Sequence, residues 1–285
     1  MSEAELQERI NQELSGFMSN VDFRLRDKLS VLLPALDLLE KRISPNADDG
    51  VIRYLGEIRK SAYGILRIAG NMADYAKYIR NYRESEPART NLSEMMTSLL
   101  RETARLARYK QILFTFECAE TPFYAVVDRN QIELLLYHLL SNAVLHGEGD
   151  ITASLKRFDG SVVITVSNKR GAIPENTLAT LYTGYREYAG AEGGKPGLGL
   201  PIALAIACQN GGTLAVSSDE KSGTSVVVSL PDLRDETFEL ESPFLDEYGG
   251  ANQKILIAMS DFPGCNEAYL KEPRGGNAAC TTSMP

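Results

Sequence analysis

Apolar residues recur early in the chain at steps of four and three: Leu25, Leu29, Leu32, Leu36, Leu39 and Ile43. That spacing holds one stripe along a helix and predicts a long amphipathic α-helix of heptad character. Ser44-Pro45-Asn46 interrupts it, because proline and asparagine favour a turn. A second series follows: Leu55, Ile58, Ala62, Ile65, Ala69, Met72, Ala76 and Ile79. Together they predict a helical hairpin. Two helices cannot enclose a core by themselves, so the stripes are expected to pair with those of a second copy in a dimeric four-helix bundle. Packing against the downstream part of the chain is the alternative.

The polar stretch Glu84 to Asn91, with Pro87, is expected to be a linker. Beyond it the pattern predicts a helix through Leu106, strands at Ile112–Cys118 and Phe123–Val127, and a helix over Asn130–Leu145. Strands then recur at Ile151–Leu155, Val162–Val166, Thr213–Ser217 and Ser225–Leu230, with a helix over Leu200–Cys208. Strands and helices interleave without regular βαβ spacing. The expected class is α+β: a hairpin domain over residues 1–83, then an α/β sandwich with one mixed sheet over residues 92–235. In residues 236–285 the pattern fades. Ile255 to Ala258 reads as a short strand and Gly275 to Pro285 as disordered.

Composition narrows the function only a little. The 285 residues suffice for two modest domains, and 44% hydrophobic with 24% charged residues is ordinary for a globular protein. A net charge of -8 points away from nucleic acid, and the basic runs Lys77 to Arg83 and Arg101 to Lys110 alternate with apolar residues as on a solvated helix face. No run is long and apolar enough for a membrane span and no signal-peptide layout opens the chain, so a cytoplasmic protein is expected. Cys118, Cys208, Cys265 and Cys280 form no CxxC pair, which indicates reduced thiols, the first two in cores.

Candidate chemistry lies in four segments. Phe17-Met18-Ser19-Asn20-Val21-Asp22-Phe23-Arg24-Leu25-Arg26-Asp27-Lys28-Leu29 resembles the H-box of sensor histidine kinases, F-x-x-N-V-S-H-E-L-R-T-P-L, matching at Phe17, Asn20, Val21, Leu25, Arg26 and Leu29. It differs where the chemistry lies. Phe23 stands for the phosphoacceptor histidine, Arg24 for the acid beside it and Lys28 for the proline. A phosphoacceptor needs a nitrogen lone pair and help in losing its proton, and phenylalanine offers neither.

Leu134 to Gly147 resembles the N-box of the ATP-binding domain shared by histidine kinases, gyrases and mismatch-repair ATPases. The resemblance implies ATP and magnesium as cofactors, with Asn142 as the magnesium ligand. An amide oxygen suits that hard cation when phosphates and water complete its octahedron. His138 and His146 lie one turn before and after Asn142, on the same helix face. The family carries an asparagine, histidine or acid at position 138, which makes His138 a possible catalytic group, and an aromatic or histidine near the phosphates at position 146. Gly193 to Ile202 resembles the glycine-rich G2 box. There Lys195, Gly197, Leu198 and Gly199 would face phosphate, because glycines admit close backbone approach and a helix N-terminus offers unpaired amides.

The adenine-reading D-x-G-x-G-I-P aligns with Asn168-Lys169-Arg170-Gly171-Ala172-Ile173-Pro174. Its aspartate is Asn168, and both glycines are replaced, by Arg170 and Ala172. An amide accepts less strongly than a carboxylate. Leu145 stands where a lysine often follows the N-box asparagine, and Tyr182 or Tyr185 is the nearest equivalent of the lid phenylalanine. The resemblance spans about Glu13 to Pro231.

Two functional readings follow. In one the chain is a degenerate histidine kinase, a dimeric regulator in two-component signalling, because the substitutions fall on chemical positions while scaffold positions match. Its implied partners are a second copy or a related kinase, and a response regulator. In the other it is an active histidine kinase that uses a non-standard acceptor or phosphorylates in trans. A serine/threonine kinase of the anti-sigma type fits least, as it would need a carboxylate in place of His138 and no hairpin.

Overall fold

The structure is a computed structural model describing residues 3–43, 48–78, 85–107, 112–173, 197–233 and 281–283, with the single positions 175, 178 and 257. Helix α1 covers Glu3–Ile43 and α2 covers Asp49–Tyr78. The start of α2 is fixed by Asp48, whose Oδ1 accepts from Val51 N at 2.8 Å and satisfies an otherwise orphaned amide. Pro34 lies inside α1, on its exposed side. There the Ser30 carbonyl, which loses its helical partner, is left to water.

The hairpin seam is formed by Leu29, Leu33 and Leu36 of α1 against Leu55, Ala62, Leu66, Ala69 and Ala73 of α2. It is rotated from the expected stripe. Leu33 is 7% exposed, whereas Leu32 is 43% exposed and Leu39, Ile58, Ile65 and Met72 also face outward. Two helices can bury only one line of contact between them, so the other half of the heptad pattern is left over. On the buried side Arg59 reaches across from α2 to Asp37 and Glu40.

Strand β1 (Ala88–Asn91) is the first departure from expectation, since it lies in the segment read as linker. It pairs antiparallel with β3 (Tyr124–Val127), Ala88 opposite Val127. A four-residue strand with a single buried position leaves too little alternation to be read from sequence. Helix α3 (Leu92–Ala107) and β2 (Phe114–Cys118) follow, then α4 (Arg129–His146), β4 (Glu148–Phe158) and β5 (Ser161–Arg170). Helix α5 (Gly199–Gln209), β6 (Thr213–Asp219) and β7 (Gly223–Pro231) complete the folded unit.

The main sheet runs β6-β7-β5-β4-β2-β8, with β2 and β4 parallel and the β4-β5-β7-β6 run antiparallel, which is the mixed sheet expected. Helices α3, α4 and α5 bury its face through Leu100, Ile132, Leu135, Ile151, Ala153, Val162, Ile206 and Val228. The architecture is thus α+β, a helical hairpin followed by an α/β sandwich.

Strand β8 (Thr281–Ser283) pairs parallel with β2, in a tail expected to be disordered. Ile257, expected in a strand, is helical and packs on the hairpin cluster of Leu29, Leu33, Ala62, Tyr63 and Leu66. Neither was legible, because each depends on a surface built elsewhere in the chain. Cys208 is exposed and Cys118 half-buried, not core as expected. No described helix is long and apolar enough to cross a membrane.

Candidate functional site

Helix α4 is set by Asp128, whose Oδ1 accepts from Gln131 N at 3.1 Å and whose Oδ2 accepts from Glu86 N at the same distance. From this fixed start, helical spacing carries His138, Asn142 and His146 along one face. His138 is 6% exposed, and its Nε2 is buried without a hydrogen-bond partner. Burial, and then the positive charge of Arg67 on α2, lower its pKa to about 4, so the ring is neutral at physiological pH. Asn142 is half-buried, and its amide has no hydrogen-bond partner among the described residues. His146 is exposed on the last turn.

The start of α5 stands against His138. A Cβ placed on Gly199 would lie 3.3 Å from His138 Nδ1, so only glycine lets the helix approach this closely without displacing the ring. Leu198 occupies the N-cap position and makes no side-chain cap. The first amides of α5 are therefore left to whatever stands in front of them, the condition under which a helix N-terminus binds an anion. A Cβ on Gly197 would meet nothing within 4 Å, so the approach to this end is open.

At the other end of α4, Asn168 closes the wall. It is 5% exposed at the end of β5 and packs on the helix cap, since a Cβ on Gly147 would fall 2.6 Å from Asn168 Cγ and 2.3 Å from the Ala143 carbonyl oxygen. Its Nδ2 donates to the Arg170 carbonyl, which fixes the amide orientation and reserves Oδ1 as the acceptor. The turn beyond is braced by hydroxyls. Ser218 Oγ accepts from Ile173 N at 2.7 Å, Thr224 Oγ1 donates to the Gly171 carbonyl at 2.9 Å, and the two hydroxyls lie 2.6 Å apart. Ser218 and Thr224 were missed in the sequence because a hydroxyl on a half-buried strand carries no pattern that marks it.

Phe23 is 71% exposed on α1. Arg24 Nε donates to Asn20 Oδ1 at 2.9 Å. The nearby carboxylates are engaged in ion pairs, Asp22 with Arg26 at 2.9 Å and Asp27 with Lys28 at 3.4 Å. This turn faces α2 at Gly70, where a Cβ would stand 2.9 Å from an Arg26 Nη2. His138, Asn142, His146, Asn168, Gly197, Leu198 and Gly199 thus lie on elements that pack together, while Phe23 and Arg24 stand apart on the hairpin. Lys195, Pro174, Tyr182 and Tyr185 lie outside the described residues.

These residues suit a magnesium nucleotide. Among the described residues no three His, Cys, Asp or Glu side chains converge on one point; a magnesium ion can draw most of its ligands from phosphates and water. The Asn142 amide could offer an oxygen ligand, the uncapped start of α5 could face an anion, and Asn168 Oδ1 could accept from a base.

Residues 127–234 match the HATPase_c family, described as histidine kinase-, DNA gyrase B- and HSP90-like ATPases. Over 231 residues the chain is 23% identical to the aerobic respiration control sensor protein ArcB of Escherichia coli K12, covering 78% of this chain and 29% of ArcB. It is 28% identical to the sensor histidine kinase GacS of Pseudomonas protegens (80% and 26% covered) and 24% identical to the sensor protein DivL of Caulobacter vibrioides (76% and 28%). The chain therefore spans less than a third of these relatives. Among solved structures, full-length ShkA in complex with AMPPNP aligns with a TM-score of 0.60 at 18% identity, over 76% of this chain and 46% of ShkA. The histidine kinase ThkA in complex with the response regulator protein TrrA aligns at 0.51 and 18%, over 80% of this chain and 66% of ThkA. Residues 127–234 therefore form an ATPase domain of the histidine kinase-, DNA gyrase B- and HSP90-like type, and over most of its length the chain is similar to sensor histidine kinases.

Proposed function

We propose that this chain is the dimerising, nucleotide-binding part of a two-component signalling protein, a degenerate kinase that regulates without accepting phosphate itself. The observation that carries this reading is Phe23, exposed where the acceptor would stand. A phenyl ring has no lone pair with which to attack a phosphoryl group, and the always-protonated guanidinium of Arg24 cannot take a proton. The chain has two histidines, His138 and His146, and both are on α4.

ATP, when bound, supplies a transferable γ-phosphoryl group and the negative charge that the site's donors recognise. Asn142 would hold magnesium, and the α5 start with Gly197, Leu198, Gly199 and Lys195 would hold phosphate oxygens, with His146 beside them. Asn168 Oδ1 would accept from the adenine amino group. His138, buried and neutral, would pack the phosphate end and exclude water.

The outward stripe of Leu32, Leu39, Ile58, Ile65 and Met72 supports a dimer, either with a second copy or with a related kinase. A response regulator is a further partner, as in the ThkA complex. The location is cytoplasmic.

The test is incubation of the purified chain with magnesium and radiolabelled ATP. Nucleotide binding without acid-labile phosphate on the chain supports the reading, and label mapped to any hairpin residue overturns it. The retained ATP-site residues favour a second reading, an active kinase working in trans. Label appearing on the histidine of an added partner hairpin would establish it.

A further inference from the structure

The nucleotide site proposed above receives little positive charge from its own helix. Among α4 residues only Arg129 is a lysine or arginine, and it stands at the opposite end from Asn142. Leu145, just past Asn142, is apolar.

A cation is nonetheless brought to this end of the site, from the hairpin. Helix α2 packs along α5, and Gln209 Nε2 on the last turn of α5 donates to the Tyr78 carbonyl at the end of α2 at 2.6 Å. Tyr78 also enters the main core, and Tyr75, half-buried, packs against it. From Tyr78 back to Arg67, α2 spans about 16 Å, and from Gln209 back to Gly199, α5 spans about 15 Å. Arg67 thus lies as far back along α2 from this bond as Gly199 does along α5, and the two helices pack against each other. Residues 67, 71, 74 and 78 follow the i, i+4, i+7, i+11 spacing of one helix face, so Arg67 shares the face that meets α5. The electrostatics agree, because the charge of Arg67 acts on His138, the residue whose ring stands against Gly199. Two further features mark this place as built for a ligand: the buried, unpartnered Nε2 of His138 and the uncapped start of α5.

We propose that Arg67 of α2 completes the phosphate end of the nucleotide site, so that the hairpin itself reads whether the bound nucleotide is a triphosphate. A guanidinium offers a planar fork of donors that matches phosphate oxygens. Its delivery from the hairpin ties nucleotide state to the docking of α2 on α5. Nucleotide occupancy thereby reaches the turn carrying Phe23, which faces α2 at Gly70, one turn from Arg67.

The experiment is calorimetric titration of the full chain and its Arg67→Met and Arg67→Lys variants with magnesium and either ADP or the imido analogue of ATP. Arg67→Met should weaken the triphosphate analogue roughly tenfold, the loss of one charge-assisted contact, while ADP changes less than twofold. Arg67→Lys should keep most of the preference. A purely structural role for Arg67 would weaken both ligands together, and that result, or no change with either, overturns the proposal. A measurement on the wild-type chain needs no variant: the triphosphate analogue should protect Arg67 from phenylglyoxal more than ADP does, and equal protection overturns the assignment. A wild-type chain that binds neither nucleotide removes the nucleotide site itself, whereas one that binds both but keeps its preference in Arg67→Met removes Arg67 alone.

Discussion

Gln209 Nε2 donates to the backbone carbonyl oxygen of Tyr78 at 2.6 Å, joining the last turn of α5 to the last residue of α2. Tyr78 is almost fully buried, so this bond lies where the hairpin meets the sheet unit. Gln209→Ala should loosen that junction by about 1 kcal/mol, the net value of one intramolecular hydrogen bond. Hydrogen exchange should rise over residues 70–78 with little change in β4 and β5. Unchanged exchange there would mean that apolar packing alone holds the junction.

His138 makes stability pH-dependent in a defined direction. Burial, then Arg67, holds its folded-state pKa at about 4, below the ordinary 6.5. Between those values the unfolded chain binds the proton and the folded chain does not, so stability falls as pH drops from 6.5 to 4 and is level outside that window. Against His138→Asn, which does not titrate, the wild type should lose on the order of 3 kcal/mol across the window. Parallel denaturation curves for the two proteins at pH 7 and pH 4.5 would show that the ring is not buried neutral.

The rotated seam separates two roles of neighbouring leucines. Leu33→Ala, inside the hairpin, should cost about 2–4 kcal/mol of stability. Leu32→Glu, on the outward stripe, should leave the monomer's stability nearly unchanged and shift sedimentation toward the monomer. A wild type that sediments as a monomer at tens of micromolar would refute the dimer.

Asn168→Asp restores the carboxylate found elsewhere in the family and should still fail to help. The amide donates to the Arg170 carbonyl, and a carboxylate has no proton for that bond and faces the carbonyl with like charge. We expect a loss of about 1–3 kcal/mol in stability, read by thermal melting, and no gain in adenine-nucleotide affinity. Tighter binding at an unchanged melting temperature would contradict this.

Ile257 covers the hairpin cluster and β8 covers the edge of β2. Ile257→Asp should raise hydrogen exchange over residues 59–66 and leave 114–118 alone. Truncation before Thr281 should do the reverse. If both changes affect both places equally, the two contacts form one cooperative unit.

Much of this protein was legible from one dimension. Steps of three and four marked α1 and α2, and alternation marked β4 to β7. The N-box and G2 segments fell on α4 and the start of α5, because local periodicity and glycine placement are properties of neighbouring residues. The identity of Phe23 needed no fold to make its chemical point, since a phenyl ring cannot accept phosphate in any environment. What pairs distant segments was decided only in three dimensions. Leu33 instead of Leu32 enters the seam because the helix rotation is set by where Arg59 meets Asp37 and Glu40 and how the partner helix packs. Ser218 and Thr224 brace the turn after Asn168 because the register of β5, β6 and β7 places them there. Arg67 reads in sequence as one more solvated charge on a helix. The docking of α2 on α5 brings its charge within reach of His138, and no local pattern encodes an interaction between residues so far apart in the chain.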